Sequence, residues 1–152
     1  MTSHVSPADA CSGSALGLLF RQVRDAMWAR MELELAAAGH ALTFSQFIAI
    51  KKLATGVASA SDLARAADLN PGAMTRLLDR LEERGLVERV ADPADRRALH
   101  IHLTDAGLAM WRDVDQCGQR VRERALEGMD DATRAQLTRL LEQARDNLTR
   151  SD

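Results

Sequence analysis

Asn70-Pro71-Gly72-Ala73-Met74-Thr75-Arg76-Leu77-Leu78-Asp79-Arg80-Leu81-Glu82-Glu83-Arg84-Gly85-Leu86-Val87-Glu88-Arg89-Val90, then Ala91-Asp92-Pro93-Ala94-Asp95-Arg96-Arg97, then Ala98-Leu99-His100-Ile101-His102-Leu103-Thr104, is the stretch that decides the fold. Asn70 is a good N-cap, and Pro71 at the first helical position loses no hydrogen bond because that N–H has no intrahelical partner. Met74, Leu77, Leu78 and Leu81 recur at helical spacing, and Gly85 is the expected terminator. The period then changes. Leu99, Ile101 and Leu103 alternate strictly with His100 and His102, which predicts a half-buried strand, and Leu86–Val90 is its natural partner. The polar loop between them is too charged to bury. A helix therefore runs straight into a hairpin with a charged tip.

Outward from this stretch the pattern is helical. Thr43 and Gln46 form a capping box ahead of Phe44, Phe47 and Ile48, a short amphipathic helix that ends near Ala54. After a break at Gly56-Val57-Ala58, Ser59 and Asp62 offer a second box, and Asp68-Leu69 makes a turn. Leu16, Leu19, Phe20, Val23, Met27, Met31 and Leu35 form a long stripe that stops at Gly39. Thr104 caps a helix carrying Leu108, Trp111, Val114, Val121 and Ala125. Asp130 starts another with Leu137, Leu140, Leu141, Ala144 and Leu148. The expected fold is mostly α (α+β). It comprises a winged helix-turn-helix lobe at 42–103 with a two-stranded β-hairpin wing, long flanking helices at 15–41 and 104–149 that form a dimerisation region, and a loose tail at 1–14.

Composition agrees. Ala (26) and Leu (21) outnumber Val and Ile together (10) among 152 residues, which favours helix over strand. The chain has a net charge of −2, and residues 57–103 hold seven Arg against eight acids, so any affinity for a polyanion must come from a local surface. Two cysteines, Cys11 and Cys117, fit a reducing compartment. Neither a secretory signal nor an apolar run of spanning length is present, which points to a cytoplasmic protein with no membrane partner. No nucleophile elbow, zinc-protease helix, P-loop or dinucleotide fingerprint occurs, so no catalytic residue, cofactor or enzymatic activity is expected.

In such a lobe the third helix buries Met74, Leu77, Leu78 and Leu81 and offers its other face to the major groove. That face carries Asn70, Pro71, Gly72, Thr75, Arg76 and Arg80. Gly72 allows close approach to phosphates at a helix N-terminus, and Arg76 and Arg80 are placed to reach base edges. Arg96 and Arg97 are expected to enter the minor groove, with the Asp95 carboxylate holding a guanidinium. By charge alone, Arg76, Arg80 and Arg84 interspersed with Asp79, Glu82 and Glu83 also read as a solvated face. The order of elements favours double-stranded DNA. The alternative is a helical dimerisation or adaptor protein whose winged lobe binds protein.

Leu42-Thr43-x-x-Gln46, Ser61-x-Leu63-Ala64, Met74-Thr75-Arg76-Leu77-Leu78-Asp79-Arg80-Leu81-Glu82-x-x-Gly85-Leu86-Val87-x-Arg89 and Asp92-Pro93-x-Asp95-Arg96-Arg97-x-Leu99-x-Ile101-x-Leu103-Thr104-x-x-Gly107 together resemble the MarR family of bacterial transcriptional regulators. The resemblance covers roughly 16–148. It implies a homodimer built from the first and last two helices, with Ser61 among the DNA-facing residues. Each subunit would set a recognition helix on a pseudo-palindromic operator, Arg97 would enter the minor groove, and Asp95 would brace it. It further implies repression relieved by a small aromatic or phenolic effector, for which Trp28, His40 and Trp111 are candidate pocket residues. Cys11 lies upstream of the position where some relatives carry a peroxide-sensing cysteine, so it reads as a passive thiol, and Cys117 as a small apolar residue. His100 and His102 share a strand face, but with no third ligand nearby they read as solvent-facing and no metal is expected.

Overall fold

The computed structural model describes residues 15–95, 97 and 99–151; the expected tail at 1–14, with Cys11, and the wing residue Arg96 lie outside them. Among the described residues, six helices and three short strands follow in the order α1 (Leu16–Ala37), α2 (Phe44–Ala54), β1 (Ala58–Ser59), α3 (Ala60–Ala67), α4 (Pro71–Glu83), β2 (Val87–Ala91), β3 (Leu99–Leu103), α5 (Asp105–Ala125) and α6 (Asp131–Thr149). The fold is mostly helical with a small antiparallel sheet.

The caps set these boundaries. Thr43 and Gln46 form a reciprocal capping box, as do Ser59 and Asp62, and Asn70 accepts from the Ala73 amide with Pro71 at the helix start. Thr104 and Asp130 cap the last two helices. Asp68 ends α3 in the left-handed conformation (φ 53°), which an aspartate tolerates better than most residues. Gly85 ends α4 at φ +71°, where a Cβ would be strained.

The sheet differs from a two-stranded hairpin. A third strand, β1, pairs antiparallel with β3, with Ala58 opposite Ile101 and Ser59 opposite His100, so the order is β1-β3-β2. Two residues are too few to show alternation, which is why the sequence reads there as a break. β2 also starts one residue later than the alternation suggests, with Val87 opposite Leu103. In α2 the buried side chains are Gln46, Ala49, Ile50 and Leu53, while Phe44 is exposed and Phe47 and Ile48 are half-buried. The apolar face is rotated because Phe44 and Phe47 turn toward Trp28 of α1, with ring centroids 4.9 and 5.6 Å away.

Two cores result. One gathers Ile50, Leu53, Leu63, Met74, Leu78, Leu81, Val87 and Ile101 from α2, α3, α4 and the sheet. The other lies between α1 and α5, with Met31, Leu35, Val114, Cys117 and Val121. Leu42, Met110 and Trp111 pack against both and couple them. α6 has no buried residue, and the N-terminal half of α1 is equally bare: Leu16, Leu19, Phe20 and Val23 are exposed, as are Leu140, Leu141 and Leu148. No helix among the described residues is long and apolar enough to cross a membrane.

Candidate nucleic-acid interface

The outward side of α4 is built by subtraction. Met74, Leu77, Leu78 and Leu81 are buried, which leaves Gly72, Thr75, Arg76, Asp79 and Arg80 exposed, with Asn70 and Pro71 at the start of the helix. Asn70 spends its side-chain oxygen on the Ala73 amide at 2.8 Å, and the Thr75 hydroxyl donates to Pro71 O at 2.9 Å. The helix start is thereby fixed. Gly72 leaves its surroundings open: a Cβ there would meet only Asn70 Oδ1 at 3.5 Å and an Arg76 nitrogen at 3.8 Å. Arg76 and Arg80 line a cavity of about 230 Å³ with Thr43, Ser45, Gln46, Ala73 and Leu77, which joins the start of α2 to the middle of α4. Ser61, in the first turn of α3, is exposed.

Neither Arg76 nor Arg80 is in an ion pair among the described residues. Two of the three acids of the same helix, Asp79 and Glu82, are engaged elsewhere. Arg89 of β2 donates to Asp79 Oδ1 at 2.7 Å, to Glu82 Oε2, and weakly to Thr75 O at 3.4 Å. Burial works against the charge of Arg89, but the bonds to Asp79 and Glu82 outweigh it and hold the guanidinium pKa above its ordinary value. The residue sits inside the Arg89-containing motif read from the sequence, yet its role is not visible there. The available signal is the alternation itself, which turns an arginine to the same side of β2 as buried Val87.

At the wing, Asp95 Oδ1 accepts from the Arg97 backbone N–H at 3.0 Å. The expected grip on the guanidinium is replaced by a grip on the main chain, because two residues in a tight loop bring the carboxylate to the amide first. Asp92 braces the other side of the loop: it accepts from the Ala94 amide at 2.8 Å and contacts His100 Nε2 at 2.9 Å. The His100 imidazole, with the Ala94 and Asp95 amides, holds the Asp92 carboxyl below its ordinary value. His102 lies 3.5 Å from Glu88. Both histidines are thus paired with carboxylates across the sheet, and no cluster of three metal-ligating side chains occurs among the described residues.

The candidate effector residues are not gathered at one point. His40 Nε2 contacts Asp113 Oδ2 of α5 at 2.9 Å and lines a cavity of about 680 Å³ with Leu42, Phe44 and Arg84. Trp28 lines an adjoining cavity of about 400 Å³; Glu32 and Phe44 border both. Trp111 packs into the junction of the two cores. Cys117 is fully buried, bonded to Glu34 O, and burial pushes its thiol pKa up, consistent with an apolar packing role.

Residues 42–99 match the MarR family. A transcriptional repressor of Pseudomonas putida, NicR, is 28% identical over 66% of this chain and 64% of its own length, so the aligned stretch spans about two thirds of that relative. A mutant of E. coli MarR complexed with operator DNA superposes with a TM-score of 0.72 at 27% identity, covering 85% of this chain and 92% of that one. Bordetella bronchiseptica BpsR, solved to explain regulation of its DNA binding by 6-hydroxynicotinic acid, gives a TM-score of 0.72 at 25% identity over 86% and 93% of the two chains.

Proposed function

We propose, from the premise that this chain belongs to the MarR family of transcriptional regulators, that it is a homodimeric repressor of a pseudo-palindromic operator. Residues 42–103 serve as the DNA-binding lobe, and 15–41 with 104–149 as the dimerisation region. The observation that carries this reading is the uncommitted charge on α4: Arg76 and Arg80 stand exposed beside Gly72 and Thr75 while Asp79 and Glu82, two of the three acids of the helix, are tied to Arg89. An exposed helix face of this kind fits the major groove, where an arginine–guanine pair is the commonest specific contact. Ser61 and Asn70 flank it, Pro71 sets its start, and Arg96 and Arg97 of the wing take the adjacent minor groove.

Dimerisation is supported by the bare apolar side chains of α1 and α6, which are exposed and find no cover among the described residues. Stable obligate interfaces bury ~2,000 Å² or more. Release by an effector is supported by the adjoining cavities at the α1–α2 junction, where Arg84 offers a cationic group beside the His40 imidazole and Phe44 and Trp28 offer rings. A small aromatic acid matches that chemistry, and Trp111 packs against both cores at their junction. A salt-dependent mobility shift on duplexes selected from a random pool tests the reading. Nanomolar binding to a selected duplex supports it; no binding at low salt refutes it and favours the protein-binding adaptor.

A further inference from the structure

Arg89 is an anomaly of β2. It faces the same side of the sheet as buried Val87 and, across the strand pair, Ile101, yet it carries a charge. All of its observed bonds go to α4, and its side chain is 23% exposed. On the helix, Asp79 lies one turn beyond Thr75 and Arg76, within the arc read here as facing DNA. Asp79 and Glu82 are about half exposed, so without a counter-charge they would present two carboxylates to phosphates. The cost of such a repulsion grows as the interface excludes water.

We propose that Arg89 is a positioning residue for DNA recognition: without touching the nucleic acid, it ties the wing strand to the recognition helix and cancels the charge that Asp79 and Glu82 would turn toward the phosphates. This inference rests on the DNA-binding reading above. It separates the arginines into two kinds, with Arg76 and Arg80 free to contact DNA and Arg89 spent inside the lobe. It also explains how a lobe with more acids than arginines presents a usable cationic face.

The test measures affinity for a duplex selected against the parent, and for a random duplex, at one fixed salt concentration. R89A, R89Q and R89K are compared with the triple change R89A/D79N/E82Q, and thermal melting establishes which variants are folded. The parent's own affinity tests the DNA-binding reading; the variant-to-parent ratios test this inference. R89A and R89Q are expected to bind both duplexes roughly tenfold more weakly. R89K, which keeps the charge, and the triple change, which removes the acids, are expected to return to within about threefold of the parent. If the triple change stays as weak as R89A, the carboxylates of Asp79 and Glu82 are not what weakens R89A and the inference is overturned. It is also overturned if R89Q binds like the parent, or if R89K is as weak as R89Q. Should R89A fail to fold, R89Q and R89K decide the matter alone.

Discussion

Gly107 stands where α5 leaves the hairpin, and replacing it with alanine should damage the joint between the lobe and the long helices. A Cβ at this position would fall 2.1 Å from Leu86 O, 3.1 Å from Leu86 C and 3.2 Å from Leu103 Cδ2. The nearest atom is backbone, and it is already engaged, since Leu86 O accepts from Thr104 N at 3.1 Å while the Thr104 hydroxyl donates to Gly85 O. To restore ordinary contact, helix and hairpin must part by more than about 1 Å. Overpacking of this kind costs roughly 1–3 kcal/mol, and loosening the Thr104 bond adds about 1. The better helix propensity of alanine offsets at most about 1 kcal/mol, which leaves a net loss of about 1–3 kcal/mol. Gly118 provides the control on the same helix, because a Cβ there meets nothing within 4 Å. G118A should gain about 0.5–1 kcal/mol. Urea unfolding at constant protein concentration, with unchanged m-values, reads both. A G107A protein as stable as the parent would refute the reasoning.

Further outcomes follow from the interface and the helix pair. R76A should cost about 1–3 kcal/mol on a selected duplex and much less on random DNA, read by titration; equal losses would make Arg76 a phosphate contact. D95A should weaken binding despite removing negative charge, because the Arg97 amide loses its acceptor, whereas D95N, which keeps an acceptor oxygen, should stay near the parent; simple electrostatics predicts that both tighten. R97A should lose more than D95A, and the double change should be far from additive. Glu34 accepts from Arg120 at 2.7 Å and Arg30 at 3.1 Å, and Arg120 above all holds its carboxyl below the ordinary value. Its folded-state pKa is depressed, so its contribution is complete above about pH 4.3 and fades as pH falls through the depressed value. Thermal melts of E34Q should therefore lie below the parent at pH 7 and converge with it toward pH 3; a gap that persists in acid would contradict this.

Most of the fold was legible because its boundaries are written in local chemistry. The capping boxes at Thr43 and Ser59, the Asn70-Pro71 start and the Gly85 stop fix helices by bonds made within four residues. What escaped was decided at long range. β1 exists only because β3 offers a free edge to Ala58 and Ser59. The buried face of α2 is turned by Trp28, a side chain from another helix. Arg89 and the Arg84 contact with Ala41 O likewise depend on which surfaces meet, and helical spacing alone assigns Arg84 to a solvated row. The wing motif pointed to the right pair, Asp95 and Arg97, but not to the atom that joins them.

In the proposed dimer, two copies of this chain are held together by their long helices, and each reads DNA with its own α4 and wing. A hydroxyl-radical footprint of the parent on a duplex selected from a random pool tests it most directly. The account predicts two-fold symmetric protection with half-site centres about 10 bp apart or a multiple of that, and minor-groove protection beside each half-site. A footprint without two-fold symmetry, or uniform protection with no preferred site, would contradict it.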